Sequence, residues 1–83
     1  MHSLPVHKTQ SGRGLRDWFK EHAIANVRVL TKRAEITIGY LIKRIADGGN
    51  TVFRVATCTN ATRNEWTTFD VDKRHIVQLD YLT

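Results

Sequence analysis

The side chains able to do chemistry in this 83-residue chain are mostly cationic. Lys8, Arg13, Arg16, Lys20, Arg28, Lys32 and Arg33 fall within the first 33 residues against only Asp17 and Glu21, so the whole net charge of +5 resides there. The rest of the chain balances six bases with six acids. Three basic doublets, Lys32-Arg33, Lys43-Arg44 and Lys73-Arg74, stand at or near the ends of expected strands. Clustered Lys and Arg gain free energy by displacing counterions from phosphates, so a cationic arm on a neutral body points to a polyanionic partner. The plainer alternative is a charged, solubilising surface.

Other chemistry is poorly supplied. The histidines His2, His7, His22 and His75 lack the close-spaced ligand pairs of a zinc site. The single cysteine, Cys58, lies mid-strand in an apolar stretch, where a thiol is ordinarily inert, and alone it can form no internal disulfide. Asp70 and Asp72 project from one face of a short strand but adjoin Lys73 and Arg74, and they read as neutralising that pair. Asp47-Gly-Gly-Asn lacks the lysine and the following helix of a phosphate loop. The reading is therefore of a binding protein rather than an enzyme, with no metal and no cofactor. No apolar run approaches the roughly 20 residues of a membrane helix. Met1-His-Ser-Leu-Pro has neither the basic flank nor the apolar stretch of a signal peptide. A cytoplasmic protein without a membrane partner is expected.

Periodicity gives the elements that must position these cations. Residues 1–14, with Pro5, Ser11, Gly12 and Gly14 among polar neighbours, read as a flexible basic tail, and residues 15–83 as one domain. Leu15, Trp18, Phe19 and His22 recur at i, i+3, i+4 and i+7, which predicts a helix over 15–25 docked through Trp18 and Phe19. Val27 and Val29 then open a period of two, a strand to about Thr31, and Lys32-Arg33-Ala34 forms a turn. Ile36, Ile38, Tyr40 and Ile42 alternate as in a strand, with Gly39 marking a bend or bulge. Ile38, Leu41, Ile42 and Ile45 also fit a helical face, and a helix over 34–46 stays as the alternative.

Asp47-Gly-Gly-Asn is a hairpin signal. The return strand, Thr51 to Thr59, turns Phe53, Val55 and Thr57 one way and Arg54, Ala56 and Cys58 the other. After a turn at Asn60-Ala-Thr-Arg-Asn comes a strand from Glu65 to Val71, with Phe69 and Val71 inward and Trp66 and Thr68 outward. Ile76 to Leu82 is the last strand. Four or five short antiparallel strands with turns about every 8–12 residues most readily curl into a barrel, because a flat sheet leaves edges and one face uncovered. The expected fold is mainly β (α+β): an N-terminal helix followed by a small antiparallel β-barrel.

The order of elements resembles small SH3-like β-barrel proteins, many of them phage-encoded, and the barrel core of WYL domains. Trp66-Thr-Thr-Phe-Asp-Val-Asp-Lys-Arg-His-Ile76 is similar to the late segment of the WYL core, and Phe53-Arg-Val-Ala-Thr-Cys-Thr59 stands where its preceding strand would be. The likeness spans about residues 15–77. It implies the barrel fold and a habit of binding nucleic acid or peptides.

The candidate interface comprises Arg13, Arg16, Lys20, Arg28, Lys32, Arg33, Lys43, Arg44, Arg63, Trp66, Lys73 and Arg74. The cations would track phosphates as one continuous stripe, and an outward Trp66 beside Arg63 would stack on an unpaired base. Without a readout helix for the major groove, RNA or single-stranded nucleic acid is the expected partner, bound with little sequence preference. The alternative is an inhibitor or adaptor that docks on a larger host protein, such as a defence factor or an RNA-acting toxin. The oligomeric state stays open, a homodimer included.

Overall fold

Alternating apolar residues build most of the strands, and one helix packs on the outer face of the sheet they form. A computed structural model describes the chain over residues 6–11 and 14–82. The elements run β1 (Val6–Ser11), α1 (Leu15–His22), β2 (Ala25–Thr31), β3 (Ile36–Asp47), β4 (Asn50–Asn60), β5 (Glu65–Asp72), a single 3₁₀ turn (Lys73–His75) and β6 (Ile76–Tyr81). The fold is thus mainly β with one helix, and residues 34–46 contribute a strand rather than a helix. All strands pair antiparallel in one sheet of order β1-β5-β4-β3-β2-β6.

Part of the expected tail is a strand. β1 pairs with β5, setting Thr9 opposite Thr67 and Gln10 opposite Trp66. Loop composition hid it, because Pro5 and Gly12 flank a six-residue stretch with only one aliphatic residue.

The sheet curls but does not close. β5 and β6 lie four strand spacings apart, about 19 Å in a flat sheet, yet only the three-residue 3₁₀ turn joins them. The sheet must bend until β6 reaches the far edge of β2. Closure would require β6 to pair with β1, the other edge, and the described residues form no such pairing. The closed barrel expected from the strand pattern is therefore an open, curled sheet with β1 and β6 as its edges.

β3 carries the bend. Its first half pairs with β2, from Ile36 opposite Leu30 to Leu41 opposite Ala25. Its second half pairs with β4, from Tyr40 opposite Ala56 to Asp47 opposite Asn50. At the crossover, Gly39 lies against the Ala56 carbonyl, so the residue there must lack a side chain. The β3–β4 connection is the expected two-residue hairpin, with Gly48 and Gly49 both at positive φ.

Apolar residues fill both faces of β4 and β5. On the inner face Val27, Val29, Leu41, Phe53, Val55 and Val71 form the main core, joined by Ile76 and Leu79. On the outer face α1 lays Phe19 and Leu15 over Ala56, Trp66 and Tyr40. The helix ends at His22, three residues before the expected stop, because Ala23 is already extended. It docks through Phe19, not Trp18: Phe19 is buried, while Trp18 is half exposed and stacks on His22 with ring centroids 4.5 Å apart.

Candidate nucleic-acid interface

The open mouth of the curled sheet gathers cations from separate parts of the chain. Thr31, buried at the end of β2, clamps the following turn: its N–H donates to the Glu35 carbonyl, its hydroxyl accepts from the Glu35 N–H, and its carbonyl accepts from Ala34. The Lys32 N–H donates to the His75 carbonyl at 2.9 Å. That bond holds the Lys32-Arg33 turn against the 3₁₀ turn that carries Lys73 and Arg74. Lys32, Arg33, Lys73 and Arg74 are all exposed.

Arg44 joins them from β3. It pairs with buried Phe53 across the β3–β4 ladder, so its side chain shares the inner face. Together with Lys73, Thr51, Phe53, Ile76, Leu79 and Tyr81 it lines a groove of about 500 Å³. The groove has an apolar floor and a cationic rim. Lys43 is excluded by the pleat, which turns sequence neighbours to opposite faces. It lies opposite Arg54 on the outer face, where Arg54 makes a two-bond pair with Asp70 at 2.9 and 3.1 Å.

Carboxylates neutralise part of the expected stripe. Arg74 grips Asp72 through Nε and Nη2 at 3.2 and 2.9 Å. Asp72 also caps the 3₁₀ turn by accepting from the Arg74 N–H at 2.9 Å. Hydrogen bonds from the Arg74 side chain and backbone hold the Asp72 carboxyl down at about 2, so it stays ionised and cancels Arg74 at neutral pH. Arg28 faces Asp80 at 3.4 Å across the β2–β6 ladder. The expectation that both Asp70 and Asp72 neutralise the Lys73-Arg74 pair holds for Asp72 alone, since Asp70 pairs with Arg54.

The remaining residues of the expected interface lie elsewhere. Arg16 and Lys20 project from α1, on the sheet face opposite the groove, and Arg16 stands 5.7 Å over the Trp66 ring. Lys20 lines a separate hollow of about 410 Å³ with Ala23, Ile24 and Tyr40. The single stripe joining helix and rim is therefore broken by the sheet itself. Arg63 is exposed in the β4–β5 turn, whereas the groove is built from β3, β4, the 3₁₀ turn and β6. Arg13 lies outside the described residues.

Trp66 is not an outward stacking platform. It is 3% exposed, packed against Phe19 and Tyr40, and its Nε1 donates to Asn64 Oδ1 at 2.7 Å. Period-two reading turned it away from the main core correctly but carried no sign that a helix would cover that face. The aromatic that lines the groove is Tyr81, 56% exposed on β6, which the sequence reading did not single out. Its signal was the alternation of the last strand, which sets it on the face of Leu79.

Among the described residues no three His, Cys, Asp or Glu side chains gather in a way that could hold a metal ion. Cys58 is half-buried and packs against the cluster beneath α1. No helix among those residues is long and apolar enough to cross a membrane. Comparison with known proteins finds no family model that matches this chain and no significant match among curated proteins or solved structures.

Proposed function

We propose that this protein binds RNA or single-stranded nucleic acid, mainly through backbone phosphates and with little sequence preference, and that it is a binding module rather than an enzyme. The observation that carries the reading is the Lys32–His75 backbone bond, which joins two basic doublets at the mouth where Arg44 and Lys73 share a groove. Lys32 and Arg33 lie in the turn bonded to the 3₁₀ turn, and Lys73 of that 3₁₀ turn shares the groove with Arg44, although the three segments are far apart in sequence. An SH3-like barrel left open along one seam is the finer form of the fold that fits this reading. It is supported by the meander β2-β3-β4-β5, the 3₁₀ turn after it, and the return of the last strand to β2.

Phosphate contacts release counterions, so the test is a salt titration of RNA binding by fluorescence anisotropy. Four cations on a single strand give an expected slope of log K against log salt of about −3. The double variant Lys32→Glu/Lys73→Glu should bind weakly on every sequence and lose roughly half of that slope. Binding that is absent, or indifferent to salt, removes the proposal.

Asp72 supplies an opposite-sign control. Asp72→Asn keeps an oxygen to cap the 3₁₀ turn but releases the charge of Arg74. It should bind RNA more tightly than the wild type, with a slope steeper by about one. Unchanged affinity and slope would place Arg74 outside the interface.

A protein partner is the second reading, favoured by Ile36 and Ile38. Both are 54% exposed on the outer face of β3, where the helix does not reach. An inhibitor or adaptor would retain its partner from a nuclease-treated lysate and lose it on Ile36→Lys/Ile38→Lys. Retention that vanishes with nuclease favours the nucleic-acid reading.

A further inference from the structure

The basic rim explains attraction to phosphates, but not why the groove beneath it is apolar and carries an aromatic ring. Tyr81 lies opposite fully buried Val27 in the β2–β6 ladder and so faces the inside of the curl. An inward-facing aromatic is ordinarily covered. Tyr81 is 56% exposed, on β6, the edge of the sheet formed by the described residues. Arg44 is likewise turned inward, opposite Phe53, at the end of the sheet that the hairpin leaves open. The ring and the guanidinium therefore line one opening with Lys73, above a floor of Phe53, Ile76 and Leu79.

A ligand for this opening needs a flat apolar face for Tyr81 and the floor, and an attached anion for Arg44 and Lys73. The volume of about 500 Å³ lies within the range of small-ligand clefts. We propose that the groove receives an unpaired nucleobase together with its phosphate, with Tyr81 as the stacking surface and Arg44 and Lys73 as the phosphate contacts. A duplex keeps its base faces stacked on one another, so it can meet the rim but not the groove. The module would then prefer single strands, or the ends and loops of folded RNA, over duplex. This inference rests on the nucleic-acid reading and narrows it to a ligand form.

The experiment titrates the whole protein with a single-stranded oligonucleotide, a blunt duplex of the same sequence, a nucleoside monophosphate and an acidic peptide of equal charge. The proteins are the wild type, Tyr81→Ala and Tyr81→Phe, with circular dichroism to confirm that each is folded. Stacking worth ~1–3 kcal/mol per base corresponds to a loss of about five- to 160-fold on the single strand for Tyr81→Ala. Tyr81→Phe keeps the ring and should bind as the wild type does, and duplex binding should be the same for all three. Tyr81-dependent binding of the monophosphate as tight as that of the strand assigns the groove to free nucleotides. Such binding of the strand alone assigns it to nucleic acid, and both results support base and phosphate as the recognised unit. Equal single-strand affinity of Tyr81→Ala and wild type overturns the inference while leaving a salt-dependent rim intact. Tyr81-dependent binding of the acidic peptide, with no oligonucleotide bound, overturns it together with the proposed function.

Discussion

Gly39→Ala is expected to destabilise the fold by about 3 kcal/mol or more, toward and beyond the upper end of ordinary overpacking. A methyl at this position would press into the Ala56 carbonyl oxygen, lie 2.9 Å from the carbonyl carbon and 3.2 Å from the Thr57 Cα. All three atoms are backbone, so no side-chain rotation relieves the contact. β3 and β4 would have to separate at the place where the sheet bends, breaking ladder bonds and the 2.6 Å bond from the Thr57 hydroxyl to the Ile38 carbonyl. A domain of this size is stable by only about 0.05–0.15 kcal/mol per residue, so such a loss removes a large part of the total. Urea denaturation followed by far-UV circular dichroism measures it. A Gly39→Ala variant with the wild-type midpoint would mean that the two strands do not approach as described. The functional consequence is direct, because the same pair of strands carries Arg44 and Phe53 of the groove.

Trp66→Ala should cost about 3–5 kcal/mol, the usual range for truncating a buried large aromatic. The loss comprises ring contacts to Phe19 at 5.0 Å and Tyr40 at 5.9 Å and the 2.7 Å bond to Asn64. With it goes the surface on which α1 docks, so the helical signal should fall with the stability. Trp66→Phe separates structure from binding. It keeps most of the packing and should lose about 1 kcal/mol with the hydrogen bond. Its affinity for RNA should match the wild type across a salt titration, since Trp66 lies beneath the helix and not in the groove. A folded Trp66→Phe variant with tenfold weaker single-strand binding would return Trp66 to the role of a base-stacking residue.

The local grammar of the chain was legible where spacing alone decides. Alternation over residues 36–43 predicted a strand, which runs on to Asp47, and Asp47-Gly-Gly-Asn predicted its hairpin, because two glycines accept positive φ where other residues are strained. Ala56 and Trp66 were harder. Period-two reading assigns each residue to a face but does not say which faces are covered. Both residues point away from the main core, and both are buried because α1 packs there. β1 gave no periodic signal, since a six-residue edge strand needs only a neighbour with open hydrogen-bonding groups.

The amino-acid pattern by itself determined a mainly β chain with an early helix, a cationic surplus and three basic doublets, since each follows from neighbours within a few residues. Tertiary structure alone decided which cations act together. The pleat parted Lys43 from Arg44, ladder register matched Arg28 with Asp80, and the short turn after β5 was bonded through His75 to the turn that carries Lys32. The physical reason is that Coulomb interaction falls off with distance in space, and the sheet's curl, not the chain's order, sets those distances.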